Sequence, residues 1–513
     1  MSSSSNPHRD TPDDAPEVLH EDEVAEVVET QDADGDLVMD DGDDDNEELV
    51  LENDSIAYFD GHKDSVFCIA QHPLYPNLVA TGGSEGDADD APGKGYVLDT
   101  SVAASRPVLP PSYNSDPSSR PENTALQPLF AIDGHTDSIN ALAFTLPRGE
   151  FLVSGGMDGR LRVYAVSASS PSSVQFRFLA ESRETEEVNW LAPCPSADYP
   201  NTIAFGASDG SVWVLTLDAS DPSSPIQIVQ TYYVHSTPCT AGAWSPDGLL
   251  LATVSEDSSL HVFDVWGAAA AQNLVTRNGQ TVVSLTSADQ RFEVEGGLYS
   301  VAVSPTGAFV AVGGAGGAIR IVGLPRLSQQ SQQQQSRSRQ QKSAAGSSSQ
   351  AGAILAAISV QTDSVESLAF SPTAPLLAAG SVDGSIAVFD TARSFALRRH
   401  LRAAHDGEAV VKLEFVRAAT GPAAGWLLTS CGLDGVVRRW DLRGATAGAA
   451  AGQAANAAAA GQAGGAGNLG LVKEWRGHRG GGEGGGVLGF VQGETGERVV
   501  TAGDDAVVLV FEA

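Results

Sequence analysis

Histidine, serine and aspartate residues recur along this 513-residue chain at spacings that could support nucleophilic catalysis. In a hydrolase, an aspartate such as Asp158 orients a histidine such as His135, which takes the proton of an attacking serine such as Ser154. Equivalent sets return later in the chain, each followed by an aromatic residue: His405, Ser430, Asp434 and Trp440, and His478, Thr501, Asp505 and Phe511. A catalytic group occurs once, whereas a structural group repeats with the fold. We therefore predict buried networks in which the aspartate accepts from the histidine ring and the histidine bonds the hydroxyl.

Two further motifs have catalytic or metal-binding counterparts in other proteins. Residues 82–86 match the G-x-S-x-G nucleophile elbow around Ser84, but that elbow needs a strand followed by a helix. Here the motif closes the second strand of a repeat, so we interpret it as a glycine-rich turn. Residues 32–48 resemble a calcium loop, but Leu37 replaces the required glycine, which favours a solvated acidic tail. Because zinc spacings, Walker loops and dinucleotide fingerprints are also missing from the sequence, we expect no metal, no cofactor and no enzymatic activity.

The recurring residues belong to a longer repeated unit. Each unit runs from Gly-His through an apolar strand and a second strand to an Asp-Gly turn, and then to an aromatic strand. The turn aspartates Asp158, Asp209 and Asp257 recur at roughly 50 residues, slightly above the period of a WD repeat. Units made only of strands at this period predict an all-β fold, a WD40 β-propeller.

The number of units predicts eight blades. The units span residues 61–102, 134–166, 180–217, 234–265, 294–324, 361–390, 404–442 and 477–511. Seven blades remain an alternative, because the fifth unit has lost its turn aspartate and the third and sixth have lost their histidine. The last unit ends on its third strand, residues 507–511. Residues 55–59 are therefore predicted to supply the missing strand and close the propeller.

Charge divides the chain into a tail and a body. The sequence has 65 acidic and 30 basic residues, a net charge of −35, and residues 1–54 hold 21 of the acids with one base, Arg9. We predict a disordered tail over 1–52 and a propeller over 53–513, with low-complexity insertions at 103–125, 328–350 and 444–468. The acidic balance argues against direct nucleic-acid binding and against membranes, and favours a basic partner.

Four widely spaced cysteines and a polar N-terminus predict a cytoplasmic protein, with an additional location in the nucleus, and no membrane insertion. We also expect a monomer.

One face of the predicted propeller carries the informative side chains. The starts of the innermost strands and the turn residues before the repeated aspartate should surround the central channel. These positions are Ser65, Phe67, Ser138, Asn140, Met157, Glu187, Asn189, Ser208, Thr240, Glu256, Tyr299, Ser364, Glu366, Val382, Leu433, Leu488 and Asp504. They include four carboxylates and two aromatic residues, with no Lys or Arg. Such a set predicts binding of an Arg- or Lys-rich peptide through charge-assisted hydrogen bonds and cation–π contacts.

The stretch 53–70, NDSIAYFDGHKDSVFCIA, resembles the angio-associated migratory cell protein family, as do the acidic tail before it and the eight units after it. The fungal members are dedicated chaperones of a ribosomal protein of the large subunit. The resemblance implies that the acidic face captures the basic N-terminal segment of that protein, while the tail raises the encounter rate. It places the partner-binding role on Glu187, Glu256, Tyr299 and Glu366, with Phe67, Asn189 and Asp504 as further candidates. A general WD scaffold in signalling or cell migration, as the animal members are described, is the first alternative; a hydrolase is the second.

Overall fold

A computed structural model describes residues 53–86, 88, 91–103, 123–168, 173–276, 279–327, 350–417, 423–444, 470–480 and 484–513. The predicted acidic tail and most of the three predicted insertions lie outside these ranges. The division of the chain into tail, propeller and insertions therefore stays a prediction.

The described residues form eight sheets, antiparallel apart from one short strand pair in the eighth, which confirms the predicted eight-bladed propeller over the seven-bladed alternative. Every blade has four strands, named here in their order across the sheet, and the eighth blade has a fifth strand. Blade 1 comprises β2 (Cys68–Gln71), β3 (Leu78–Ser84), β4 (Gly93–Asp99) and β6 (Pro128–Ile132); blade 2 comprises β7 (Ile139–Phe144), β8 (Phe151–Gly156), β9 (Arg160–Ala168) and β10 (Val174–Arg183); blade 3 comprises β11 (Val188–Pro193), β12 (Thr202–Ala207), β13 (Ser211–Leu217) and β14 (Ile226–Tyr233); blade 4 comprises β15 (Cys239–Trp244), β16 (Leu250–Ser255), β17 (Leu260–Asp264) and β18 (Thr281–Leu285).

The second half of the chain repeats this order. Blade 5 comprises β19 (Leu298–Val303), β20 (Phe309–Gly314), β21 (Ala318–Gly323) and β22 (Ile354–Ser359); blade 6 comprises β23 (Val365–Phe370), β24 (Leu376–Ser381), β25 (Ile386–Asp390) and β26 (Ala396–Leu401); blade 7 comprises β27 (Val410–Phe415), β28 (Leu427–Gly432), β29 (Val437–Asp441) and β30 (Leu471–Trp475); blade 8 comprises β31 (Val487–Val491), β32 (Arg498–Gly503), β33 (Val508–Glu512), β1 (Ala57–Phe59) and β5 (Thr124–Ala125). Single 3₁₀ turns occupy Thr100–Val102, Ala270–Gln272, Ala315–Gly317 and Thr391–Arg393.

The apolar core lies between neighbouring blades. The second strands, such as β8 and β12, are buried along their whole length and are rich in Val, Ile, Leu and small residues. Side chains of one blade pack on those of the next: Val153 and Val163 of blade 2, for example, share a cluster with Ile203 and Leu215 of blade 3. A sheet buried on both faces needs near-continuous apolar strands, which accounts for the short apolar runs seen in the sequence.

The predicted closing strand is also confirmed. Strand β1 pairs antiparallel with β33, with Ala57 opposite Val510 and Phe59 opposite Val508. A second short strand, β5, then adds in parallel to the outer edge of β1. Blade 8 therefore combines the two ends of the propeller, and β5 covers an edge that would otherwise expose unpaired backbone groups.

Two histidines buried in the blades make the fold sensitive to acid. His62 and His261 are each 5% exposed, and burial lowers the pKa of each from 6.5 to about 4. Between pH 6.5 and 4 the unfolded chain binds protons at these rings and the folded chain does not. Stability is therefore present above pH 6.5 and is lost as pH falls towards 4, by about 3 kcal/mol for each ring.

We expect His261→Phe to reduce the loss of stability between pH 7 and pH 4.5. Thermal unfolding of both proteins at the two pH values measures this. The aspartates of the blade networks do not confuse the test, because the pKa of Asp158 and that of Asp383 are about 2, so most of their effect falls below this window. An equal loss of stability in wild type and variant would contradict the assignment to His261.

Candidate functional site

The repeated His, Ser or Thr and Asp residues meet inside their blades. In blade 2 the His135 ring lies 3.0 Å from Asp158 Oδ1 and 2.8 Å from Ser154 Oγ. The corresponding pairs are separated by 2.9 and 2.8 Å in the set His405, Asp434 and Ser430, and by 2.9 and 2.7 Å in the set His478, Asp505 and Thr501. Ser154 is completely buried, so a substrate cannot reach its hydroxyl. The aspartate, histidine and serine are hydrogen-bonded in the same order as in a hydrolase triad, but here the buried network stabilises a turn of the blade.

Each network also has local additions. Trp440 Nε1 donates to Ser430 Oγ at 2.9 Å, so the aromatic residue covers and bonds the hydroxyl. Burial of the Asp158 carboxyl raises its pKa, but hydrogen bonds from His135 and from backbone N–H groups outweigh burial and lower that pKa to about 2. Gln361 replaces the missing histidine of the sixth unit and donates to Ser385 Oγ at 3.1 Å.

Ser84, the nucleophile of the G-x-S-x-G match, ends strand β3 and donates to the Gly86 carbonyl at 2.7 Å. Strand β4 follows it, where a nucleophile elbow would have a helix.

A β-bulge in the innermost strand fixes the channel-facing side chains. In seven blades the pairing of the first two strands skips one residue at the same place, and in blade 1 Phe67 precedes β2 at the equivalent position. A β-bulge changes the direction of the side chain of the extra residue relative to its neighbours. In blade 6, for example, exposed Glu366 stands between buried Val365 and buried Ser367. The bulge positions are Phe67, Asn140, Asn189, Thr240, Tyr299, Glu366, Val411 and Leu488.

The innermost strands form a closed ring, because each contacts those of both neighbouring blades. A repeated backbone hydrogen bond joins the start of this strand to the turn after the second strand, as from Glu256 N to Pro238 O. This bond defines two further sets of positions around the channel mouth. The turn set is Ser84, Met157, Ser208, Glu256, Ala315, Val382, Leu433 and Asp504, and the strand-start set is Ser65, Ser138, Glu187, Pro238, Gly297, Ser364, Ala409 and Gly486.

The predicted carboxylates all fall within these sets. We call Glu187, Glu256, Glu366 and Asp504 the acidic ring. All bulge, turn and strand-start positions lie within the described residues, and none of them is Lys or Arg.

Tyr299 links two members of the acidic ring. It lies at the bulge of blade 5, and its hydroxyl donates to the Gly296 carbonyl at 2.6 Å. The pKa of the phenol is raised by burial and then by the negative charges of Glu256 and Glu366. Although Glu366 is exposed as a residue, partial desolvation of its carboxyl raises its pKa, and the charge of Asp363 raises that pKa further. Two carboxylates therefore act on one phenol across three consecutive blades, which creates an electronegative, partly aromatic surface.

The other predicted binding residues differ in how free they are. Phe67 is 41% exposed, so its ring is open to a ligand. Asn189 Nδ2 donates a hydrogen bond to the Cys239 carbonyl of the next blade at 3.1 Å. Glu187 is half-buried at the strand start of blade 3. Asp504 is the most constrained, because its carboxylate accepts from Ser65 Oγ at 2.5 Å and from Gly484 N at 2.9 Å.

Sequence reasoning missed a second set of acids and one bulge residue. The position before the strand start is acidic in five blades, as Asp64, Asp137, Glu186, Asp363 and Glu408, which we call the rim acids. Four of them directly precede a predicted channel position, and Glu408 precedes Ala409, which was not predicted. Val411 was also missed, because the bulge that presents it depends on pairing with β28.

Within the described ranges, no group of His, Cys, Asp and Glu residues has an arrangement that could hold a metal ion. Among the helices of the described part of the chain, none has the length and apolar character needed to cross a membrane.

Comparison with known proteins gives a consistent set of relatives. A family model described as WD domain, G-beta repeat, matches residues 126–165, 226–264 and 352–390. The crystal structure of Chaetomium thermophilum Sqt1 is 68% identical, covers 90% of this chain and 98% of its own, and superposes with a TM-score of 0.76. The structure of that protein bound to the N-terminus of the ribosomal protein L10 is also 68% identical, covers 90% and 100%, and gives a TM-score of 0.75.

Two curated proteins are more distant. The ribosome assembly protein SQT1 of Saccharomyces cerevisiae is 30% identical over 238 residues, which is 45% of this chain and 46% of that one. The human angio-associated migratory cell protein is 24% identical over 391 residues, or 76% of this chain and 71% of that one. The resemblance stated from the sequence is thereby confirmed.

Proposed function

Because the chain belongs to the Sqt1 family of WD-repeat proteins, we propose that it chaperones ribosomal protein L10 by capturing the basic N-terminal segment of that protein on the acidic ring. The carrying observation is that Glu256 in the turn of blade 4 and Glu366 at the bulge of blade 6 flank the bulge position of Tyr299 in blade 5. The relative that is 68% identical has been solved with the N-terminus of L10 bound, which supports this choice of partner.

The chemistry of the acidic ring suits such a segment. Arg and Lys side chains form charge-assisted hydrogen bonds with carboxylates, and they also lie favourably over aromatic faces such as those of Tyr299 and Phe67. Strands and turns hold the backbone of these carboxylates in place, so little backbone freedom is lost on binding. The rim acids extend the negative potential outwards, which favours rapid encounter with a basic chain.

In this proposal the protein binds its partner without catalysing a reaction. The serine hydroxyls nearest to a triad arrangement serve blade turns, and Ser154 is inaccessible. Capture of L10 would shield a basic segment until it joins the large ribosomal subunit. We place this role in the cytoplasm, with the nucleus as an additional location, and assign it to a monomer.

Salt dependence separates this proposal from a general WD scaffold. We expect the Kd for a peptide with the sequence of the L10 N-terminus to rise at least about tenfold between about 0.05 and about 0.5 M NaCl, because exposed charges are screened. Calorimetric titration at several salt concentrations measures this, with a peptide of the same composition in scrambled order as the control. A Kd that is independent of salt, or equal binding of both peptides, would contradict sequence-directed capture by the ring.

A further inference from the structure

Three neighbouring blades place apolar side chains at their bulge positions. These side chains are Val411 in blade 7, Leu488 in blade 8 and Phe67 in blade 1, and we call them the apolar arc. Blade 8 lies between the other two, because its innermost strand β31 contacts both β27 and β2. The bulge positions of the remaining five blades carry polar groups: Asn140, Asn189, Thr240, Tyr299 and Glu366. The apolar arc is therefore one sector of the channel mouth and not a scatter of single residues.

The side chains of the apolar arc are accessible and are not required by the core. Phe67 is 41% exposed, and Val411 and Leu488 are partly exposed. Among the core clusters of the described residues, none includes Phe67 or Leu488, and Val411 only packs against the outside of one. Single exposed apolar residues are ordinary, whereas several at one mouth indicate a site of interaction.

The charges beside the apolar arc do not favour a cation. Among the bulge, turn and strand-start positions of blades 7, 8 and 1, the one carboxylate is Asp504, which already accepts the two hydrogen bonds given above. Lys412 directly follows Val411, and its Nζ donates at 2.7 Å to the carbonyl of Phe490, two residues beyond Leu488. Its positive charge opposes a further Arg or Lys on this side of the channel. The apolar arc therefore suits an uncharged side chain.

The apolar arc faces the free part of the acidic ring across the channel. In a ring of eight blades, blade 8 lies opposite blade 4, which carries Glu256. Glu187 in blade 3 and Glu366 in blade 6 lie on the same side as Glu256, with Tyr299 of blade 5 between the last two. The mouth therefore has an acidic side and an apolar side, and an extended segment that crosses it meets both.

We propose that the apolar arc binds an apolar or aromatic side chain of the captured segment, while basic side chains of the same segment lie against the acidic ring. The inference rests on the proposed function and deepens it, because it narrows the ligand from any basic segment to one that also carries an apolar side chain. Burial of that side chain against Phe67 and Leu488 adds affinity that salt does not screen. A basic peptide without such a side chain gains nothing from the apolar arc, which gives the mouth its selectivity.

The test uses the full chain and a peptide with the sequence of the L10 N-terminus. Phe67→Ser with Leu488→Ser, the arc variant, should weaken binding of this peptide at least about tenfold. The factor should be the same at about 0.05 and about 0.5 M NaCl, because an apolar contact is not screened. The heat-capacity change of binding should also become less negative, since less apolar surface is buried. Calorimetric titration at several temperatures and salt concentrations measures both quantities.

Two controls isolate the apolar arc. Leu129 and Ile228 are 52% and 53% exposed on the outermost strands of blades 1 and 3, away from the channel. Leu129→Ser with Ile228→Ser should leave the Kd for the L10 peptide within about twofold of wild type. The peptide acetyl-Arg-Gly-Arg-Gly-Arg-amide has no apolar side chain, so wild type and arc variant should bind it equally. Phe67→Gln alone, expected to weaken the L10 peptide about threefold, replaces the arc variant if that variant does not fold.

The outcomes distinguish the apolar arc from the acidic ring. Equal Kd values of wild type and arc variant for the L10 peptide, or weaker binding of the arginine peptide by the arc variant, would overturn the inference. If Glu256→Lys with Glu366→Lys weakens binding of the L10 peptide while the arc variant does not, capture by the acidic ring stands and only the apolar arc fails. If the wild-type protein does not bind the L10 peptide, both proposals fail.

Discussion

Replacing Glu256 and Glu366 together by lysine is expected to weaken binding of the L10 N-terminal peptide by about 100-fold or more. Each carboxylate is available for a charge-assisted hydrogen bond, and each lysine adds repulsion towards a basic segment. Loss of about 3 kcal/mol in total corresponds to the 100-fold change. Calorimetry at about 0.15 M salt, where the Debye length is about 8 Å, measures the Kd values of the wild-type and variant proteins. Because both residues are exposed at the bulge or turn of their blades, the fold should tolerate the change.

The control changes net charge by the same amount on the other side of blade 8. Glu494 and Glu497 are exposed on the connection between β31 and β32, at the opposite end of these strands from Asp504. Glu494→Lys with Glu497→Lys should leave the Kd within about threefold of wild type, because exposed charges beyond a Debye length are largely screened. If both double variants weaken binding equally, total charge and not the acidic ring is responsible for capture.

A single added methyl group at Gly317 is expected to destabilise the propeller by about 3–4 kcal/mol. Gly317 has φ of +71° in the turn between β20 and β21, and a Cβ placed on it would lie 1.9 Å from the Gln361 carbonyl oxygen of the next blade. Neither atom can move without shifting backbone, since Gln361 itself is buried and bonded to Ser385. The left-handed backbone costs about 1–2 kcal/mol for alanine, and the clash adds the remainder.

The neighbouring glycine provides the control. Gly316 has φ of +60°, but a Cβ there meets no heavy atom within 4 Å. Gly316→Ala should therefore cost only the backbone preference, about 1–2 kcal/mol. Thermal unfolding of both variants isolates the effect of the contact between blades. Similar losses of stability in Gly316→Ala and Gly317→Ala would show that backbone conformation alone explains the cost.

Repetition made the fold predictable from the sequence. The eight units, the turn aspartates and the closing strand all rest on local patterns, and a pattern that recurs can be checked against its own copies. Strand β5 could not be predicted, because its residues Thr124 and Ala125 pair in parallel with β1. Three strands of blade 1 lie between β1 and β5 in the sequence. Two residues carry too little periodicity to indicate a strand by themselves.

The site was predictable in its charge but not in its geometry. Positions such as Glu256 and Tyr299 follow from their place in the repeat, whereas the bulge that presents Val411 depends on a skip in pairing with another strand. The bond between Ser65 and Asp504 joins residues 439 positions apart, and local sequence does not encode such a pair. The cavity between blades 3 and 4, lined by Tyr232 and Asp264, could not be predicted either, since it arises from the junction of two blades.

The pairing of β1 with β33 also determines when blade 8 can close during synthesis of the chain. Translation delivers β1 before the seven blades that separate it from Val508–Glu512, so β1 must wait for all of them before it finds its partner. Asp504 and the bulge of blade 8 are likewise made after the seven preceding blades. A chain that stops before Val508 therefore keeps its channel-mouth positions but leaves β1 without a partner, so blade 8 closes only in chains that include β33.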